Sequence, residues 1–198
     1  TSIDDGGPSI EVVGEISSMD DSEEFGASVV AGMDLDGDGL EDVAIGAPAA
    51  ICSKGDLEPC GALYIFLDLA SSDEPGGFIL TSEAADRVIW AESIGDELGA
   101  SVAQIPDWDG DGKADLVVGA PEFGDADGRA YVIGGVMDGD EADADLVAEA
   151  ILTGPSGQLG YAVAAPGDMD GDDGAELVLG VPGLDTAGAH SGGAVLFW

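Results

Sequence analysis

Three stretches of this chain place carboxylates on one ruler. Asp34, Asp36, Asp38 and Asp42 form the first set, Asp107, Asp109, Asp111 and Asp115 the second, and Asp168, Asp170, Asp172 and Glu176 the third. Each set reads Asp-x-Asp-Gly-Asp-x-x-x-(Asp/Glu). Acids at alternate positions of a tight loop, with glycine permitting the sharp turn, direct their oxygens at one point. A hard divalent cation needs that arrangement. Calcium takes about six to eight oxygen ligands, and four crowded carboxylates without a cation repel one another. One such loop could be an acidic turn; three in register predict three Ca²⁺ sites. Magnesium fits less well, because it keeps several waters rather than enter an all-protein cage.

Competing chemistries can be weighed on the same residues. The helix-flanked EF-hand loop also begins with alternating acids, but it needs a bidentate glutamate at its twelfth position. The twelfth residues here are Ile45, Val118 and Leu179, each inside an apolar run, which excludes it. Another acidic cluster, from Asp138 to Asp145, has alanine at the fifth position of the frame and reads as a solvated loop. Asp125-Ala126-Asp127-Gly128 carries hairpin-turn chemistry. The single histidine, His190, sits among Gly, Ala and Ser with no nucleophile at a meaningful spacing, so the expectation is a protein that binds rather than catalyses. Cys52 and Cys60 lie eight residues apart in a loop with Gly55 and Pro59. Two thiols cannot make a structural zinc site alone, and the pair predicts a local disulfide formed in an oxidising compartment.

The elements that must hold these loops follow from the surrounding repeat. Aligning the acidic frames gives blocks of 24 residues without insertion, at 25–48, 98–121 and 159–182. Short apolar segments precede each loop (Ala27 to Ala31, Ala100 to Ala103, Tyr161 to Ala165) and others follow it (Asp42 to Ile45, Asp115 to Val118, Glu176 to Leu179). Their lengths and flanking Gly and Pro predict buried strands, with the acidic loop joining each hairpin. A third strand led by glycine follows each block (Gly61 to Phe66, Gly128 to Ile133, Gly193 to Trp198). A less regular fourth strand precedes each (Ile10 to Ile16, Arg87 to Ala91, Leu146 to Leu152). The aromatic residues Tyr64, Phe66, Trp90, Tyr131 and Phe197 read as core, and Trp108, inside an acidic loop, as a candidate exposed contact.

Phe25-Gly26 and Gly46-Ala47-Pro48 around the first loop resemble the FG-GAP repeat of the integrin α-subunit β-propeller. Leu98-Gly99 with Gly119-Ala120-Pro121, and Leu159-Gly160 with Gly180-Val181-Pro182, repeat the pattern. Leucine replaces phenylalanine twice, Val181 replaces alanine, Asp173 stands at the usual second glycine and Glu176 at the last aspartate, so the third loop departs most. The resemblance implies an all-β propeller of three four-stranded blades, forming one domain over residues 1–198. It also implies side-chain ligands from loop positions one, three, five and nine, and backbone carbonyls from Leu40, Lys113 and Gly174. The implied role is a non-catalytic adhesion or ligand-binding module, secreted or at the cell surface, that engages a protein through loops on the propeller face. A glycan-binding accessory domain of a secreted enzyme and a purely structural surface domain are the alternatives.

The stretches outside the blocks, 24 residues before the first and 16 after the last, together match an internal stretch of 49 or 37. A ring is therefore expected, closed by pairing of the N-terminal strand with the last blade. Three blades are few for a propeller, so a small ring, a six-bladed homodimer or a chain from which further repeats were cut away follows, and the matched ends count against the last. Forty-two acids face four basic residues (Lys54, Arg87, Lys113 and Arg129), a net charge of −38. That field repels phosphate backbones and anionic lipid, which argues against nucleic acid and membrane insertion. No apolar run is long enough to span a bilayer, and the first residues lack a signal-peptide pattern.

Overall fold

The computed structural model describes residues 14–18, 20, 23–52, 58–68, 78–135, 140–172, 174–185 and 191–198. The first half of the expected N-terminal strand, Lys54, Asp173 and His190 lie outside them. The described strands begin with β1 (Gly14–Ser17), β2 (Ser28–Met33), β3 (Asp42–Ala47), β4 (Ala62–Phe66), β5 (Phe78–Thr81) and β6 (Arg87–Trp90). They continue with β7 (Ser101–Ile105), β8 (Asp115–Ala120), β9 (Arg129–Ile133), β10 (Glu141–Asp143) and β11 (Ala148–Leu152). The last three are β12 (Val163–Gly167), β13 (Glu176–Val181) and β14 (Gly193–Phe197). No helix among the described residues is long and apolar enough to cross a membrane.

Each acidic block forms the expected antiparallel hairpin: β2 with β3, β7 with β8, and β12 with β13. The third strand of each repeat then adds to the hairpin, β4 on β3, β9 on β8 and β14 on β13. The strand preceding the next block completes the sheet, β6 on β4 and β11 on β9. β7 lies against both β2 and β12, so the three sheets stand side by side as an all-β, propeller-like arc. The middle strands explain their composition. β8 is buried along its whole length between neighbouring sheets, which is why Asp115-Leu116-Val117-Val118-Gly119-Ala120 reads as a continuous apolar run rather than an alternation.

The leucine of each Leu-Gly pair fills the gap between two blades. Leu98 packs with Leu63 and Ile65 of the first sheet and Leu116, Val118 and Tyr131 of the second. Leu159 does the same with Val117 and Val132 of the second sheet and Leu177 and Leu179 of the third. The glycine that follows brings its carbonyl against the preceding blade. Ser28 Oγ donates to Gly99 O and Ser101 Oγ donates to Gly160 O, both at 2.7 Å. Gly46 and Gly119 lie beneath those carbonyls, where a Cβ would come within 2.0 Å of the oxygen.

Several expectations are corrected. β1 does not pair with β14; it runs parallel to β5, with Ile16 opposite Leu80. Both residues pack on the outer apolar face of the first sheet, beside Phe25, Ile45, Tyr64 and Phe66, so burial on that face outweighs an edge pairing with β14. Among the described residues β14 has no second neighbour, and no closed ring forms. Asp138 and Gly139 lie outside the described residues, but the rest of that cluster, Asp140 to Asp145, is more than a solvated loop. Glu141–Asp143 forms β10, parallel to the edge of β6, and Trp90 Nε1 donates to Glu141 Oε2 at 3.3 Å. One helical turn then spans Ala144–Val147, so the fourth strand of the second blade starts at Ala148 rather than Leu146. The glycine equivalent to Gly61 and Gly128 is Gly192, not Gly193. Ladder register sets Gly193 opposite Val181, as Ala62 is opposite Ala47, and Gly61, Gly128 and Gly192 share left-handed φ values of 95°, 84° and 69°. The expected turn at Asp125 and Ala126 is present: both take left-handed φ values, of 61° and 70°, in the connection between the antiparallel β8 and β9. Cys52 and Cys60 are joined by a disulfide.

Candidate metal centres

The hairpin geometry brings each acidic frame to the same end of its blade. In the first loop Gly37 N–H and Gly39 N–H donate to the two carboxylate oxygens of Asp34 at 2.6 and 2.9 Å. Asp38 N–H donates to Asp36 Oδ1, and Leu40 N–H to Asp38 Oδ1 at 2.8 Å. Gly37 and Gly39 take left-handed φ values of 83° and 91°, which lets the turn close without a Cβ clash. The second loop repeats this arrangement, with Gly110 and Gly112 donating to Asp107, Asp111 to Asp109 and Lys113 to Asp111. In the third, Gly171 donates to Asp168, Asp172 to Asp170 and Gly174 to Asp172.

The ninth residue closes each loop from the first position of the following strand. Asp42 and Asp115 are fully buried and Glu176 is 3% exposed. Asp42 accepts N–H groups of Leu35 and Asp68 at 2.7 and 3.1 Å. Asp115 accepts those of Trp108 and Gly135, and Glu176 that of Met169. Burial pushes the Asp42 carboxyl up, against the lowering effect of its two N–H donors, and Asp36 and Asp34 add to the rise. Asp115 is raised by burial in the same way, with Asp109 and Asp111 contributing. A carboxylate held in place by backbone donors yet crowded by other acids is a group awaiting a positive partner.

One carboxylate oxygen each from Asp34, Asp36 and Asp42 lies within 4.8 Å of the others, and the same holds for Asp107, Asp109 and Asp115. In the third loop Asp168, Asp170, Asp172 and Glu176 all converge within that distance. Asp38 and Asp111 stand outside their tight groups, and Lys113 Nζ lies 3.5 Å from Asp111 Oδ2. Hard carboxylate oxygens in this number suit calcium's ligand preference. Leu40, Lys113 and Gly174, expected to offer backbone carbonyls, stand at the seventh position of each loop. The first two loops also touch, since Ala114 N–H donates to Asp34 O at 3.0 Å.

Two acids near these loops went unrecognised in the sequence. Glu149, on β11, has its carboxyl pushed up to about 7, first by desolvation and then by the charges of Asp109 and Asp115. The signal was a single glutamate inside the apolar run Leu146 to Leu152. Asp68, just past β4, donates its N–H to Asp42 Oδ1 at 3.1 Å. Trp108, expected as an exposed contact, is half-buried against the core between the second and third blades.

The opposite end of the blades carries a different surface. Ser93, Ile94, Asp96, Glu122, Phe123 and Asp125 line an open cleft of about 460 Å³ between the first and second blades. Beside it Arg129 lies over the Phe123 ring at 3.5 Å and pairs with Glu92 at 2.5 Å.

The FG-GAP repeat family matches residues 25–66 and 98–133. Integrin alpha-PS5 of Drosophila melanogaster is 34% identical over 167 residues, 82% of this chain and 15% of that protein. Integrin alpha-5 of Xenopus laevis is 30% identical over 180 residues, covering 87% of this chain and 16% of its own length. Integrin alpha-V of Gallus gallus is 33% identical over 169 residues, covering 82% and 15%. The chain thus spans about 15% of the length of these relatives.

Proposed function

For a chain that carries FG-GAP repeats and resembles the integrin α-subunit propeller, we infer a calcium-binding, non-catalytic ligand-binding module that works outside the cell, secreted or at its surface. The observation that carries this reading is the threefold convergence of buried and loop carboxylates at equivalent positions of three hairpins. Calcium at these loops involves Asp34, Asp36, Asp38 and Asp42, then Asp107, Asp109, Asp111 and Asp115, then Asp168, Asp170, Asp172 and Glu176. The ion neutralises carboxylates that otherwise repel, and so stiffens the hairpins from one end. Residues 1–198 act as one domain, and the disulfide between Cys52 and Cys60 suits an oxidising exterior.

The ligand is a protein, bound at the end of the blades remote from the metal loops. The cleft there is lined by Asp96, Glu122 and Asp125 beside Ile94 and Phe123, a setting for a basic side chain with an apolar stem. Calcium acts at a distance, by fixing the strands whose far ends carry the cleft. The test uses the labelled domain on an array of extracellular proteins and on a glycan array, each in Ca²⁺ and in EGTA. Protein hits that vanish in EGTA and weaken in the Glu122→Gln, Asp125→Asn variant are expected. Hits confined to glycans would favour the accessory-domain alternative, and none on either array the structural one.

A further inference from the structure

The outer face of the first sheet holds a cavity that neither the acidic loops nor the cleft at Phe123 uses. Register sets Tyr64, Val88 and Glu141 in one row across β4, β6 and β10. Trp90 follows two residues after Val88, and its ring meets that of Tyr64 edge to face, with centroids 6.3 Å apart. Together with Ser82, in the turn after β5, these residues line an open cavity of about 530 Å³. Cavities of this size suit a small organic group.

Two hydroxyls in this cavity lack a partner. Tyr64 is 6% exposed and Ser82 7%, yet among the described residues neither hydroxyl has a hydrogen-bond partner. Buried polar groups are nearly always paired, and leaving one unpaired destabilises the fold. Around them stand Asp20, Glu83, Asp86, Asp140 and Glu141 against one base, Arg87. That arginine is engaged within the wall, since its Nη1 donates to Asp86 O at 2.6 Å and lies 3.8 Å from Asp140 Oδ1. Carboxylates only accept and hydroxyls can accept, so the cavity offers acceptors in excess under a negative field. An anion is repelled there. A primary ammonium fits, because it has three donors and no acceptor, and aromatic faces attract such a cation within about 6 Å.

We propose that this cavity binds a primary alkylammonium, with Tyr64 and Ser82 hydroxyls accepting its N–H groups, the Trp90 and Tyr64 rings beside its stem and the carboxylates balancing its charge. The site stands apart from the acidic loops and depends on neither the calcium reading nor the cleft. A lysine side chain and a free polyamine carry the same chemistry. Trp90 Nε1 donates to Glu141 at the cavity wall, so its indole N–H signal in heteronuclear NMR reports on occupancy, with Trp108 and Trp198 as internal controls. At constant ionic strength, n-butylammonium should move the Trp90 signal to saturation and leave the other two in place. Tetramethylammonium, which has no N–H, should bind at least about tenfold more weakly. Tyr64→Phe should weaken n-butylammonium to the same extent, and Ser82→Ala should weaken it too. Tyr64→Phe keeps the ring contacts with Phe25 and Trp90 and loses an unpaired hydroxyl, so it should melt no lower than the parent protein. Tighter binding of spermidine than of N-acetyl-lysine methylamide assigns the site to a free polyamine, and the reverse to a basic segment of a partner protein. Equal binding of the two simple ammonium ions, a Trp90 signal that neither moves, or a Tyr64→Phe protein that binds n-butylammonium unchanged or melts well below the parent overturns the proposal.

Discussion

Replacing Gly119 with alanine tests how tightly the blades are fitted. Gly119 lies on β8 outside the left-handed region, so the substitution carries no backbone penalty of its own. The added Cβ would fall 2.0 Å from Gly160 O and 2.5 Å from Ser101 Oγ. Relief requires the second and third blades to part by at least about 1 Å, or Ser101 to abandon its bond to Gly160. Overpacking of this kind costs about 1–3 kcal/mol, and the lost hydrogen bond adds roughly 1 kcal/mol. The combined loss of about 2–4 kcal/mol should lower the melting temperature by roughly 4–16 °C for a chain of this length. The repeat supplies its own control. Gly180 holds the equivalent place in the third blade, where a Cβ would meet only Ala162, at an ordinary 3.4 Å. Gly180→Ala should melt within about 2 °C of the parent protein. Differential scanning calorimetry in saturating Ca²⁺ decides the matter. A Gly119→Ala protein as stable as the parent, or a Gly180→Ala protein that falls equally far, refutes the argument that blade contact is set by these glycines.

Chelation should lower the melting temperature sharply, since one site at a hundredfold excess of Ca²⁺ over Kd contributes roughly 2.7 kcal/mol; equal Mg²⁺ should restore it poorly, and a melting curve indifferent to EGTA removes calcium from the account. Reducing the disulfide between Cys52 and Cys60, which closes a loop of eight-residue separation, should cost about 2–3 kcal/mol, measured as a drop in melting temperature that alkylation after reduction makes permanent. Burial raises the Asp96 carboxyl above its ordinary 3.8, against the Ser93 N–H that lowers it. The folded state therefore holds this proton more tightly than the unfolded one, and the resulting stability is complete below that ordinary value and lost as pH rises through the raised one. Asp96→Asn should flatten this segment of the stability profile between pH 4 and neutrality, and an unchanged slope counts against a strained carboxylate at the cleft.

Hairpins, blade order and the acidic loops were legible because each follows from local spacing. Phe25, Leu98 and Leu159 stand at one fixed distance from their acidic frames, and the frames fix where each strand pair must turn. What stayed hidden depends on residues far apart in the sequence. Nothing in four-residue segments as plain as Gly14–Ser17 and Phe78–Thr81 says that they will pair in parallel; that choice is made by the apolar face of the first sheet. Glu141–Asp143 reads as acidic loop because edge strands tolerate charge, and its ladder to β6 is a tertiary fact. The placement of Gly193 shows how a run of adjacent glycines hides register, since a shift of one residue reverses which side chains face the core. Glu149 was visible as an acid in an apolar run, but the bulge between Ala148 and Ala150, where it sits, has no sequence signature of its own.

The bond from Ala114 N–H to Asp34 O ties the end of one acidic loop to the first residue of the other. Ala114 stands directly before Asp115, the residue that closes the second loop. If the two loops hold calcium as proposed, filling either would lower the ordering cost of filling its neighbour. Thermodynamic reciprocity makes the effect equal in both directions. On the calcium reading, the first two loops would respond to the ion more steeply together than either would alone.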